Sequence, residues 1–287
     1  MSDPKVDEET GVETTGHVWD GIEELNNPLP RWWLWTLYAC IIWAVGYTIA
    51  YPAWPLLSGA TSGLLGYSTR GEVANDIAQH EAKNEGLVAE LIATDLATLD
   101  PTSDLHRYAV ARGGSVFLAQ CSQCHGSGAA GAVGYPNLLD NDWLWGGDMD
   151  NITYSIRHGI RNDTDWDARY SEMPAFGDML ENNEIDAVVE YVTSLSMADF
   201  DAGKAEAGAA IFLDNCSSCH GENALGNRDL GAPNLADAIW LYGGDRKALT
   251  YTVENARFGV MPAWGQRLTD ADVRAVSVYV HSLGGGE

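Results

Sequence analysis

Cys121-Ser122-Gln123-Cys124-His125 and Cys216-Ser217-Ser218-Cys219-His220 are the stretches that decide how this chain is read. They lie 95 positions apart, and each is followed by a Met-Pro-Ala-aromatic-Gly segment, beginning at Met173 and at Met261. Two thiols one helical turn apart can bond covalently to the vinyl groups of a haem while the next residue brings an imidazole under the iron. The motifs therefore predict two covalently bound haems c, attached through Cys121, Cys124, Cys216 and Cys219. His125 and His220 are the expected axial ligands on one side, Met173 and Met261 on the other. A thioredoxin-type pair or a zinc site built from the four thiols is the competing reading of Cys-x-x-Cys. Neither has a use for a histidine after the second cysteine in both copies, nor for a Met-Pro in each.

The surroundings of the motifs repeat too, which is an independent check on the reading. With a shift of 95, Gly113, Val116, Phe117 and Leu118 fall on Gly208, Ile211, Phe212 and Leu213. With a slightly larger offset, Pro136-Asn137-Leu138 matches Pro233-Asn234-Leu235, and Trp143-Leu144-Trp145-Gly146-Gly147 matches Trp240-Leu241-Tyr242-Gly243-Gly244. With a shift of 88 the two Met-Pro segments coincide. The same shift carries Ile185, Val188, Tyr191, Val192 and Leu195 onto Val273, Val276, Tyr279, Val280 and Leu283 at helical spacing. Each unit thus reads as helix, attachment motif, loop, helix, methionine loop and helix. Gly113 and Gly208 sit where the N-terminal helix of a unit could cross that unit's final helix closely, because a missing side chain lets backbones approach. The first unit carries an insertion, roughly Arg161 to Glu172, which is charged and aromatic and is a candidate docking loop.

Only one methionine pair recurs: Met149, Met179 and Met197 align with Arg246, Arg267 and Gly285. His158 is the rival distal ligand in the first unit, but it aligns with Phe258 and would make the two irons unlike. His17, His80, His106 and His281 read as surface or supporting residues. With both axial positions filled, neither iron has room for oxygen or peroxide, so no catalytic residue is expected. Whether a methionine is donated across units is left open at this level.

At 287 residues there is room for two domains plus extra segments. The net charge of −25 disfavours nucleic acid as a partner and suits a basic protein, or simply solubility. Cys40, the fifth cysteine, lies in an apolar segment as a small hydrophobe. From Trp32 to Ala53 no residue is charged, and as a helix the stretch would be about 33 Å long, enough to cross a bilayer once. Trp32, Trp33 and Trp35 cluster at one end and Tyr47, Tyr51 and Trp54 at the other, as interfacial belts do. A cleaved signal peptide fits badly, since an acidic region of some thirty residues comes first and the span is long. Haem attachment in bacteria occurs outside the cytoplasmic membrane, which places the later residues in the periplasm and the N-terminus in the cytoplasm. A linker over 55–68 and a helix over 72–99, stopped by Asp100-Pro101, follow the span. That helix's apolar stripe could pack on another subunit or on this chain.

Put together, the layout resembles the membrane-anchored dihaem subunit, subunit III, of cbb3-type cytochrome c oxidases. The likeness rests on His17-Val18-Trp19-Asp20-Gly21-Ile22-Glu23-Glu24-Leu25-Asn26-Asn27-Pro28-Leu29-Pro30, on Tyr67-Ser68-Thr69-Arg70-Gly71 and on the two haem units. It implies an all-α fold of one N-terminal transmembrane helix and two tandem class I cytochrome c domains. The divisions are 1–30 for an acidic tail and interfacial segment, 31–54 for the span, 55–104 for linker and helix, 105–200 for domain 1 and 201–287 for domain 2. It implies an electron relay without a catalytic site of its own, in the bacterial inner membrane. Electrons would come from a soluble cytochrome c or the bc1 complex and pass toward a monohaem cytochrome c subunit and a catalytic haem-copper subunit. The alternative is a cytochrome c subunit of another membrane-bound periplasmic oxidoreductase, such as a dehydrogenase or nitric oxide reductase. Trp19, Ile22 and Leu25 recur at helical spacing, so a short interfacial helix is expected there, with a disordered tail over 1–15.

Overall fold

The computed structural model describes residues 5–287, which form two compact units, one ending at Lys83 and one beginning at Asn84. In the first unit the chain begins as an antiparallel hairpin, β1 (Thr14–Trp19) and β2 (Ile22–Leu25), rather than the expected short helix. The reason lies in Asp20-Gly21: φ is +50° and +87° at these two residues, the conformation a two-residue hairpin turn demands. A glycine at such an angle turns the chain back and leaves Trp19 opposite Ile22. Ahead of it, Val6 pairs with Glu13, and Asp7 accepts a hydrogen bond from Thr10 N at 2.9 Å. The tail expected to lack structure is therefore folded from residue 5, and its first four residues lie outside the described ones.

Helix α1 (Arg31–Ala50) is apolar on every side, has no buried residue, and among the described residues is the one helix long and apolar enough to cross a membrane. Its last carbonyls would be orphaned at that end. The chain after it returns to satisfy them, with Leu64 N donating to Ile49 O at 2.9 Å and Leu65 N to Ala50 O at 3.0 Å. Gly63, at φ +68°, makes this return possible because a side chain there would collide with Ala50 and Tyr51. The linker also holds a minimal hairpin, β3 (Pro55–Leu56) and β4 (Gly59–Ala60). Helix α2 (Thr69–Ala93) contains the boundary between the units. It stops before the expected Asp100-Pro101 because Asp95 accepts from Ala97 N and starts a separate turn over Leu96–Thr98.

The second unit is helical, and both repeats show the same element order. The first runs through α3 (Asp104–Val116), the short motif helix α4 (Ser122–His125), α5 (Met149–His158) and α6 (Asn182–Ser196). The second runs through α7 (Ala202–Asn215), α8 (Ser217–His220), α9 (Arg246–Asn255) and α10 (Asp270–His281). Side chains cap α3, α5, α7, α9 and α10: Ser103, Asp148, Asp201, Asp245 and Thr269 each accept from an otherwise orphaned first-turn N–H.

The segments 105–200 and 201–287 do not close on themselves. Helix α3 packs on α10, and α6 packs on α7, so each half of the unit draws on both repeats. Gly113 lies against the Ala275 carbonyl and Gly208 against the Ala187 carbonyl, so close that neither could carry a Cβ. A close crossing is present at these glycines, but with the final helix of the other repeat and not, as expected, with that of the same one. Phe117 then lies tilted against Tyr279 at 5.4 Å and Phe212 against Tyr191 at 5.1 Å, and both phenylalanines are fully buried. Arg112 pairs with Asp272 across the α3–α10 contact at 2.7 Å. One half is α3, α4, α5 and α10 around Phe117, Ile152, Ile156 and Val276; the other is α6 to α9 around Ile185, Val188, Phe212 and Leu249. The physical cause is the link between the repeats. Only Met197 to Asp201 separate α6 from α7, too few residues to carry α6 back past α7 onto α3. The end of α2 also belongs here, with Leu91 fully buried against Leu105, Ala109 and Ala275, and Arg274 Nε donating to Leu91 O at 2.8 Å.

Candidate haem-binding sites

Each attachment motif sits at the end of an N-terminal helix and turns sharply at a glycine, Gly126 at φ +78° and Gly221 at φ +79°. This turn lets the following loop pass beneath the histidine. The Nδ1 of His125 meets the carbonyl of Pro136 at 3.0 Å, and the Nδ1 of His220 meets that of Pro233 at 3.0 Å. A carbonyl can only accept, so Nδ1 carries the proton and Nε2 is the atom left for a metal. Burial pushes both imidazoles below their usual pKa, against the opposing pull of the proline carbonyl, which keeps them neutral and competent as ligands. Burial, with the neighbouring thiol second, pushes Cys121 and Cys216 up to about 11, so both are held as neutral thiols.

Met261 packs with Cys121, Phe117, Ile152 and Trp264 in the half that carries the first motif. Met173 lines a cavity of about 420 Å³ together with Cys216, Cys219 and His220. Each methionine is thus brought to the motif of the other repeat. The loops that hold them are mirror copies: the turn Phe176–Asp178 packs on α9 and the turn Trp264–Gln266 packs on α5. Met261 is further fixed by a two-way backbone pairing with Ile160, N to O at 2.9 and 3.0 Å.

A haem fits the cavity on three counts. The donor set is two thiols and a neutral imidazole with its Nε2 available. The walls include Val188, Val192, Phe212 and Leu249, which suit an apolar macrocycle. Trp240 Nε1 is buried on this cavity without a hydrogen-bond partner, and an acceptor such as a carboxylate of the bound group would satisfy it.

His158 is not brought into either group. It lies on the Tyr154 ring at 4.5 Å, with Nδ1 3.2 Å from Asp165 Oδ2. The ends of α5 and α9 also align it with Asn255 rather than Phe258. The insertion is an irregular loop, tied down at several points and exposed at others. Arg161 N donates to Arg169 O at 2.7 Å, Gln266 Nε2 to Thr164 O at 2.6 Å, and of its aromatics Trp166 and Tyr170 face outward.

Sequence reasoning passed over Arg169 and Arg257. Arg169 lies over the rings of Trp145 and Tyr154, at 5.3 and 4.9 Å, and Arg257 over those of Tyr242 and Tyr251, at 5.3 and 4.4 Å. Trp145 then rests on Gly231 and Tyr242 on Gly134, each glycine two residues before the proline that holds the other half's histidine. The shift of 88 that aligns the methionines also aligns these arginines, so the signal was present in the repeat.

A fold of two interlocked helical halves, each with Cys-x-x-Cys-His and a methionine, defines a tandem cytochrome c protein. Residues 109–192 and 203–280 match the family described as cytochrome c oxidase, cbb3-type, subunit III, and residues 11–58 match the N-terminal domain of cytochrome oxidase-cbb3, FixP. The chain belongs to the cbb3-type subunit III family. It is 59% identical over 276 residues to a protein named cbb3-type cytochrome c oxidase subunit CcoP from Cereibacter sphaeroides, covering 96% of this chain and 95% of that one. It is 52% identical over 282 residues to one named subunit FixP from Sinorhizobium medicae, covering 98% of each.

Proposed function

We propose that this chain is the electron-transfer subunit of a cbb3-type cytochrome c oxidase and carries two covalent haems c with crossed ligand sets. His125 and Met261 would hold one iron, and His220 and Met173 the other. The observation that carries the reading is the pairing of each attachment motif with the opposite repeat's methionine inside an apolar half. Bound haem c supplies a reversible one-electron iron couple. The chain's own work is to fix two cysteines, orient an imidazole through a proline carbonyl, and seal an apolar site with a methionine loop. Sulfur in place of a second imidazole favours a high potential, suited to passing electrons toward a strong oxidant.

Helix α1 would anchor the protein in the inner membrane, with its N-terminus in the cytoplasm and the haem-bearing unit in the periplasm. Donors would be a soluble cytochrome c or the bc1 complex, and the acceptors a monohaem cytochrome c subunit and the haem-copper subunit. One span such as α1 has no room to enclose an oxygen-reducing centre, which supports a relay role.

Two experiments test this. Extraction from the native membrane in mild detergent should bring down haem b and copper in stoichiometric amount, with oxygen uptake from reduced cytochrome c; haem c alone would reject the oxidase assignment. For the ligands, a chain with Cys121→Ala and Cys124→Ala should keep one haem. Its spectrum and potential should respond to Met173→Ala and ignore Met261→Ala. The opposite response would restore ligation within each repeat.

A further inference from the structure

The two methionine loops share one support. Arg161 donates from Nε to the carbonyl of Gly259 at 2.9 Å and from Nη1 to the carbonyl of Ser171 at 3.0 Å. Gly259 lies two residues before Met261, and Ser171 two residues before Met173, so a single guanidinium grips equivalent points of both loops. Arg161 is itself held in place. Its φ is +50°, a left-handed conformation that a non-glycine residue keeps only where its surroundings fix it, and its own N–H donates to Arg169 O at 2.7 Å. Ile160 beside it pairs with Met261 through backbone N and O, and Asn162 Nδ2 reaches Met261 O at 3.2 Å. Its side chain lines the cavity that contains Met173 and His220. The repeat cannot supply a second copy. Arg161 lies in the insertion, and Arg257 of the second repeat aligns with Arg169, so Arg161 has no counterpart and one arginine serves both loops.

We propose that Arg161 is a shared positioning residue: its forked guanidinium holds the loops that present Met173 and Met261, so sulfur ligation at both haems depends on one side chain. The proposal rests on the ligand assignment above. A planar five-donor fork suits the task, since it reaches two carbonyls in fixed directions where a point donor would favour one. Removing it leaves one carbonyl in each loop without its charge-assisted partner. Each methionine should then leave its iron more often, at both haems together.

The test uses the full-length holoprotein in detergent, comparing wild type with Arg161→Gln and Arg161→Lys. The readouts are the shifted methyl resonances of iron-bound methionine, one per haem, imidazole titration of the ferric protein, and both midpoint potentials. With one charge-assisted bond lost per loop, Arg161→Gln should take up imidazole at least about tenfold more readily at both haems. Both potentials should fall, with helix content and covalent haem unchanged. Arg161→Lys keeps a half-buried cation and serves as the assay if the glutamine variant fails to assemble. A change at one haem only, or at neither in a folded variant, overturns the proposal. Absence of two methionine resonances in the wild type would instead reject the ligand assignment itself, which separates the two failures.

Discussion

Gly208 lies directly against the backbone carbonyl of Ala187, a residue of the preceding repeat, with Tyr191 closing over the same point. Gly113 meets Ala275 and Tyr279 in the same way. The obstacle is backbone in both cases and cannot swing aside. Gly208→Ala and Gly113→Ala should therefore each cost about 3 kcal/mol or more, at the upper end of overpacking, despite the helix propensity alanine adds. Denaturant unfolding of the holoprotein measures this. A cost below about 1 kcal/mol would mean that the helices do not cross at these glycines.

The aromatic contacts between the halves differ in closeness. A Cβ on Gly231 would run into the Trp145 indole, whereas on Gly134 it would sit 3.2 Å from Tyr242. Both glycines have positive φ, +59° and +86°, so both alanine variants carry some backbone strain. Gly231→Ala should destabilise more than Gly134→Ala, and trimming Trp145 to leucine should recover part of the difference in a double-mutant cycle. Equal costs, or additive behaviour, would contradict the packing.

Burial, reinforced by Asp237 and Asp140 and opposed by Arg228, pushes the Asp142 carboxyl up to about 6 from 3.8. A carboxyl whose pKa is raised by folding binds its proton more tightly in the folded state. Its contribution is then most favourable below about 4, declines as pH rises toward about 6, and stays unfavourable above that. Asp142→Asn should accordingly be more stable than wild type at pH 7, with the gap closing as pH falls from about 6 to about 4. Unfolding series at stepped pH provide the measurement, and a gap independent of pH would show that Asp142 is not the source.

A net charge of −25 should speed encounter with a basic electron donor and make that rate fall with salt. Stopped-flow reduction by a basic cytochrome c at rising ionic strength is the check. A rate indifferent to salt would leave the acidity to solubility alone.

The candidate attachment and ligand residues were legible in the chain because covalent attachment demands a fixed local spacing, which Cys121-Cys124-His125 and Cys216-Cys219-His220 display in five letters each. The apolar span and the element order of the repeats were legible for the same reason, since hydrophobic periodicity is a local signal. The hairpin at Asp20-Gly21 was misjudged although its turn signal was present, because Trp19, Ile22 and Leu25 also satisfy a helical period. Which helix meets which could not be read at all. Helices α6 and α10 present the same face, Val188 and Tyr191 on one and Val276 and Tyr279 on the other, so either could accept Gly113 or Gly208. Local pattern is degenerate between those pairings. Tertiary structure decided it through the five-residue link from Met197 to Asp201, which holds α6 on α7 and leaves α10 for α3. The crossing of the methionines, and the single arginine between their loops, follow from that choice.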